Sequence, residues 1–398
     1  MKIVVLGAGI MSRAAIFDLA DDEVSPDVSE IFVYDLDGRK AEDVAKKASK
    51  LTSFKEINHG KLDVRDVDST AEVLSDADVV INGVIYYYIP QVMEAALKAG
   101  ANYLDLGSDV ETLVRQQKMD PEFRDKGLVA IPGMGGSPGL INIEAKYAVE
   151  RMDYVEKLYL REGWIDFNDY DSLGIPLPVP YSLDTIMDEF EDPVEVWEEG
   201  RLRYIPPFSG REEMEFPPPV GKVELYYVEH PEVYTLGETF KHKGLKFVDY
   251  KLSFPRDLYI KYKLLKDLGL SSTEPLDIMG VDVVPRDVIK FLVEKTLQKR
   301  EIPPNDYDIM RVIALGRKDG KKAKLVVDIF IEWSKKWNVS AQALLVGSPA
   351  SIAAQWTAKG IIAEPGVHNP EEVIEPIPFF NELKLRGMKF RESLEVFV

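Results

Sequence analysis

Residues 2–12 read Lys-Ile-Val-Val-Leu-Gly-Ala-Gly-Ile-Met-Ser. The apolar run from Lys2 to Leu6 predicts a strand. Gly7 then permits a tight turn, and Gly9 lets backbone come close to a ligand. A helix starting near Arg13 would aim free N–H groups and the positive end of its dipole at a phosphate. Ser12 stands where a third glycine is common and is still small enough for helix to pack on strand. Strand, glycine turn and helix together predict a dinucleotide-binding unit, with Gly7, Gly9, Ile10 and Met11 as contacts.

Moving outward, short apolar segments near residues 31–34, 54–62, 78–82, 103–106 and 128–131 alternate with helical patterns such as 13–20, 39–49 and 90–99. That alternation predicts an α/β chain with a doubly wound parallel sheet of the Rossmann type. The second strand ends at Asp35, whose carboxylate can accept from both ribose hydroxyls and would repel a 2′-phosphate. NAD is therefore the expected cofactor, with NADP second. Arg39 is the nearby cation that could turn toward a phosphate. Asp63 and Val64 follow the third strand, where an adenine would lie. Asn82 and Gly83 end the fourth, on the edge where open α/β sheets bind ligands.

From about residue 153 the pattern changes. Longer strands are predicted near 155–161, 222–229 and 247–254, and two more near 309–315 and 323–331 flank an Asp319-Gly320 turn. The last 60 or so residues read as helical again, over 341–359 and 378–386. The expected division is 1–135 for the cofactor, 136–340 as an α+β domain with a mixed sheet for substrate and oligomer contacts, and 341–398 as helices returning to the first sheet.

Composition narrows the partners. The formal charge is −19, which argues against nucleic acid and anionic membranes. The absence of cysteine excludes disulfides, thiolate metal sites and cysteine nucleophiles. His59, His230, His242 and His368 show no metal-ligand spacing, and no metal is expected. No apolar run approaches ~18–20 residues, and the N-terminal run is too short for a signal peptide, so a cytoplasmic protein is expected.

A second glycine-rich stretch, IPGMGGSPGLIN at 131–142, fits the G-x-S-x-G pattern of a serine hydrolase's nucleophile elbow. Such an elbow needs the N–H of the residue after the serine. Here that residue is Pro138, which has none. Ser137 as N-cap and Pro138 as first helical residue are expected instead.

Together, VVLGAGIMSRAAIFDL, ADVVINGVIYYY, ANYLDLGSDV, IPGMGGSPGLIN, FPPPVGKVELYYVEHPEVYTL and GVHNPEEV resemble the saccharopine dehydrogenase-like family, and within it the lysine 6-dehydrogenases. The resemblance covers nearly the whole chain. It implies NAD-dependent oxidative deamination, with L-lysine at the ε-carbon as the expected substrate. Saccharopine and carboxynorspermidine are the alternatives within the family, and an NAD-binding regulator without turnover is the alternative outside it. The resemblance also implies a homodimer or larger assembly. It matches Gly7, Gly9 and Asp35 to the cofactor fingerprint, Asn82 and Tyr86 to the fourth-strand motif and Asp105 to the fifth. Gly135, Pro138, Gly139 and Asn142 match the loop opening the second domain. Asp105 can hold a substrate ammonium, accept a proton or cap the next turn. Tyr86 can stack on the nicotinamide, hydrogen-bond the substrate or pack in the core. Gly135, Gly136, Ser137, Pro138, Asn142, Arg161, His230 and Arg256 are the candidate substrate contacts, the arginines as forks for a carboxylate. Departures from the family pattern fall at Ser12, at Gly163-Trp164 and in LLVGSP at 344–349.

Overall fold

A computed structural model describes residues 1–297 and 302–397. The first 150 residues run β1 (Lys2–Leu6), α1 (Ile10–Ala20), β2 (Glu30–Asp35), α2 (Gly38–Ala48), β3 (Glu56–Lys61), α3 (Val67–Leu74), β4 (Val79–Asn82), α4 (Ile89–Ala99), β5 (Asn102–Asp105), α5 (Val110–Gln117), α6 (Asp120–Asp125), β6 (Val129–Ile131) and α7 (Leu140–Glu150). Then come β7 (Tyr154–Asp166), α8 (Leu183–Glu191), β8 (Val194–Glu198), β9 (Arg201–Ile205), β10 (Glu212–Glu215), β11 (Lys222–Tyr227), α9 (Glu232–Phe240), β12 (Phe247–Ser253) and α10 (Arg256–Asp267). The chain closes with β13 (Leu276–Ile278), β14 (Val281–Val283), α11 (Pro285–Leu297), β15 (Asp306–Lys318), β16 (Lys321–Glu332), α12 (Ala341–Ala358), β17 (Gly366–Val367), α13 (Pro370–Val373), α14 (Pro376–Leu385) and β18 (Lys389–Val396).

The first sheet has the order β17-β6-β5-β4-β1-β2-β3, and its pairings are parallel. Ile3, Val4, Val5 and Leu6 are all inaccessible to solvent, because helices cover both faces and every position of the strand must be apolar. The order reverses between β1 and β4, and that switch point places the ends of both strands beside one crevice. The second sheet has the order β10-β11-β12-β7-β15-β16-β18, with β8 on β12 and β9 on β8. It is mixed: β12 runs parallel to β7, while β15 runs antiparallel to it. Asp319 and Gly320, both at positive φ, join β15 to β16, the turn expected of an Asp-Gly pair.

One apolar core runs through both sheets. It joins Ile3, Val5 and Ile16 to Leu158, Val312, Leu325 and Ala353. The helix α12 lies in its middle, packed on α1. Gly347 makes that approach possible, since a Cβ there would stand 2.4 Å from the Ala15 nitrogen. Asp18 of α1 is fully buried and accepts from Ser351 of α12 at 2.6 Å and from Arg386, just after α14, at 2.6 Å.

Two expectations need correction. The tail is not purely helical: β17 extends the first sheet and β18 the second. β17 is only two residues long, and β18 alternates charge on a solvent-facing edge, so neither carries an apolar signal. Nor does Ser137 cap a helix. The helix α7 starts at Leu140 with Gly139 as N-cap, and the Ser137-Pro138 bond is cis. Gly139 takes φ +123°, and its N–H donates to Asn142 Oδ1 at 2.9 Å.

The segment from α10 to α11 packs on the second sheet through α10: Leu258 and Tyr262 enter the core, and the Tyr259 ring stacks on Tyr226 of β11. Its β13–β14 hairpin is a separate two-stranded sheet, and Ile260, Leu264, Ile278, Met279 and Phe291 expose apolar surface. No helix among the described residues is long and apolar enough to cross a membrane.

Candidate active site

The ends of β1, β4 and β5 meet the loop after β6, and across from them stand β7, β12 and α8. Between them lies a cavity of about 550 Å3. Gly9, Ile10, Met11, Ser12 and Gly83 line one end. The helix α1 opens there with no side-chain cap and no acidic residue in its first turn, so its terminal N–H groups can meet an anion. A Cβ on Gly9 would face open space, whereas one on Gly7 would lie 2.6 Å from the Gly83 oxygen. Gly7, at φ +89°, therefore seats the turn against β4, and Gly9 leaves room in front of it. These residues fit a dinucleotide diphosphate.

Asp35, the expected ribose contact, is tied to the glycine turn. One carboxylate oxygen accepts from the Ala8 N–H at 2.8 Å and the other from the Asp37 N–H at 2.8 Å, so it braces the glycine turn. Arg39 folds onto Asp37, not toward Asp35. Asp63 is held by Arg65 at 2.8 Å, which pulls its carboxyl down to about 2. Neither Asp63 nor Val64 lines the cavity. Asn82 is buried and donates to the Tyr103 hydroxyl at 3.0 Å.

Asp105 is corrected from catalytic candidate to fastener. It is inaccessible to solvent and absent from the cavity wall. Its oxygens accept from Tyr103, Gln116 and the N–H groups of Gly107 and Gly133. Burial raises its pKa and these donors oppose the rise. Tyr86 does line the cavity. Its hydroxyl and that of Tyr87 both donate to Asp188 Oδ2 at 2.8 Å. Burial and the neighbouring phenol and carboxylate keep Tyr86 neutral.

Among the candidate substrate residues, Ser137, Pro138 and His230 reach the cavity. Gly135 and Gly136 lie behind it, against Leu106 and Leu345. Asn142 is buried and turned to Glu371 and Thr235. Arg161 is a correction: its fork already grips Asp249 at 2.7 and 3.1 Å, and Glu212 lies 3.2 Å away. Arg256 is exposed at the start of α10 and does not touch the cavity.

Sequence reasoning missed the opposite wall. Glu162 of β7 accepts from Tyr250 at 2.7 Å, Ser137 at 3.2 Å and Gln342 at 3.0 Å. The Tyr250 ring lies 4.0 Å from that of His230. His230 Nδ1 stands 3.3 Å from Glu232, an ion-pair contact without hydrogen-bond alignment. Burial would lower the His230 pKa, but Glu232 and then Glu189 turn the net shift upward. Asp184, Asp188 and Glu189 project from one side of α8, and Asp192 follows at its end. Arg286 reaches Asp188 at 2.6 Å and Lys290 reaches Asp184 at 2.6 Å, both from α11. Asp109 and Glu229 complete the wall, and its basic residues are Lys40 and His230. The cavity is strongly acidic.

Burial raises Glu189, Glu195 and Glu371 to about 7, far above an unfolded glutamate near ~4.3. Each raised group favours the fold fully below its unfolded pKa and loses that contribution as pH climbs through about 7. Stability measured by calorimetry should therefore be higher at pH 6 than at pH 8, by on the order of 1 kcal/mol per group. A higher melting temperature at pH 8 would refute this.

Comparison with known proteins adds the following. Residues 3–131 match the model of the saccharopine dehydrogenase NADP binding domain, and residues 135–388 that of the saccharopine dehydrogenase C-terminal domain. The chain is 27% identical over 358 residues to the carboxynorspermidine synthase of Vibrio cholerae, covering 84% of this chain and 83% of that protein. It is 24% identical over 348 residues to the carboxyaminopropylagmatine dehydrogenase of a Synechocystis species, covering 84% and 85%. Among solved structures, the apo saccharopine dehydrogenase (L-Glu forming) of Saccharomyces cerevisiae superposes with a TM-score of 0.74 at 17% identity over 99% of both chains. The Legionella pneumophila homospermidine synthase in complex with NAD gives 0.68 at 15%, covering 99% and 91%.

Proposed function

This chain belongs to the saccharopine dehydrogenase family, and from that premise we propose that it oxidises or forms a C–N bond in a carboxylated polyamine of the carboxynorspermidine type. It is an oxidoreductase with a dinucleotide-binding domain. NAD is the proposed cofactor, because Asp35 would repel a 2′-phosphate. The observation that carries the substrate reading is the acidic cavity opening directly onto the glycine turn. Saccharopine, rich in carboxylates, would meet like charge there. Among the described residues no arginine lines the wall. Lysine, the substrate expected from sequence, offers one side-chain ammonium to a wall with several carboxylates, and it stands as the second reading.

When bound, the dinucleotide supplies the hydride acceptor or donor. In the oxidative direction the carbon beside nitrogen loses a hydride, the nitrogen loses a proton, and a C=N bond forms. Water adds to that carbon and the C–N bond breaks, giving a carbonyl compound and an amine; synthesis runs the same steps backward. His230 exchanges the proton, its positive charge answered by Glu232. Glu162, fixed by Tyr250 and Gln342, orients the amine. On this reading residues 1–135 hold the cofactor, 136–340 hold substrate and 341–398 brace both. A homodimer belongs to the same reading, supported by the exposed apolar residues of α10 to α11.

The test is turnover, read as reduced-cofactor absorbance, with NAD or NADP and carboxynorspermidine, saccharopine or lysine. Carboxynorspermidine should exceed the others by ~100-fold in kcat/KM, and light scattering on the same sample should give a dimer. Preference for lysine or saccharopine would overturn the substrate reading. NAD binding without turnover of any amine would favour a regulator.

A further inference from the structure

The carboxylates of this wall are not equally satisfied. Asp184 and Asp188 have their cations in Lys290 and Arg286. Glu189, 5% exposed, accepts from the Tyr181 hydroxyl at 2.6 Å and from no other donor among the described residues. Glu229 keeps one buried oxygen, Oε1, with no hydrogen-bond partner. Glu195 of β8 is 7% exposed, and its Oε2 is likewise buried without a partner. Burial raises the Glu229 pKa, and the charge of Glu195 adds to that rise. Among the described residues, no lysine or arginine forms a salt bridge to Glu189, Glu195 or Glu229; His230, beside Glu232, also lends its charge to Glu189 and Glu195. No group among the described residues is disposed to hold a metal ion.

Resting on the reading of a polyamine-type substrate, we propose that Glu189 and Glu229, backed by Glu195, form a second ammonium subsite. It takes the amino group remote from the reacting C–N bond. Carboxylates without a lysine or arginine partner in a low-dielectric wall are costly unless they take up a proton or meet a further cation. A primary ammonium has three donors and no acceptor, which suits a ring of acceptors with free lone pairs. With the reacting nitrogen near Ser137 and Glu162, a diamine spans both positions while a monoamine fills one. The subsite thus selects substrates by their second charge.

The experiment is calorimetric binding of 1,3-diaminopropane and of propylamine to the full-length protein saturated with NAD. The wild type should bind the diamine ~30-fold more tightly, and Glu229→Gln should reduce that ratio to ~3 or less while leaving the propylamine and NAD affinities unchanged. A wild-type ratio near one overturns the proposal without any variant, as does an unchanged ratio in both Glu229→Gln and Glu195→Gln. The two readings fail separately. Diamine preference without carboxynorspermidine turnover would leave the subsite standing and sink the proposed reaction, whereas turnover without preference would do the reverse.

Discussion

A Gly139→Ala variant loses on the order of 4 kcal/mol of stability and nearly all activity, the first from strain and overpacking together. The residue sits at φ +123°, a region that side chains rarely adopt. An added Cβ would stand 2.2 Å from the Gly135 oxygen and 2.5 Å from its nitrogen. Both are backbone atoms of the same short loop and cannot swing away. Relief requires moving Gly135, which itself abuts the Leu106 oxygen, or moving Pro138, which lines the cavity. Either displacement carries Ser137 away from Glu162. Denaturant unfolding with kinetics on the folded fraction would check this. A variant within about 1 kcal/mol of wild type would show that the loop is softer than its packing implies.

Asp105→Asn is expected to cost about 3 kcal/mol while leaving the kcat of the surviving folded enzyme within a few-fold of wild type. The asparagine keeps one acceptor for the Gly107 and Gly133 N–H groups. Its amide nitrogen then faces the Gln116 amide and the Tyr103 hydroxyl, two groups now donating to Asp105. Tyr103 can turn its proton to another acceptor; Gln116 can meet the new amide only by flipping its own, which gives up its bond to Met93 Sδ. A proton-transfer role for Asp105 would instead collapse kcat with stability nearly intact. Chemical denaturation alongside steady-state kinetics separates these outcomes.

The contrast between Asp105 and Glu162 shows what a sequence can display. The shape of the glycine turn was legible because it is local: Gly7, Gly9 and Asp35 lie within one strand–turn–helix–strand unit, and spacing alone places them together. The role of Asp105 stayed open between catalysis and turn capping because its position at a strand end is visible, while its four donors come from β5, α5 and two loops. Glu162, Tyr250 and Gln342 come from three distant elements, and nothing in their spacing announces that β12 lies parallel to β7. Arg161 looked available because its partners, Asp249 and Glu212, are remote in sequence. Beyond residue 360 the strands β17 and β18 were hidden for another reason. One is too short for a period, and the other alternates charge on an edge that needs no apolar face.

The segment from α10 to α11 has a consequence beyond its exposed apolar surface. Its Arg286 and Lys290 are the counter-ions of Asp188 and Asp184, so a piece of chain outside both sheets sets the electrostatic depth of the cavity. Moving α11 outward would leave two further carboxylates without their cations, while Asp188 keeps the Tyr86 and Tyr87 phenols as donors. The cavity would then attract cations more strongly while losing the rigidity that holds them. The charge of the cavity wall is thus tied to the position of α11, through the Arg286 guanidinium held between Asp188 and the Ser271 carbonyl.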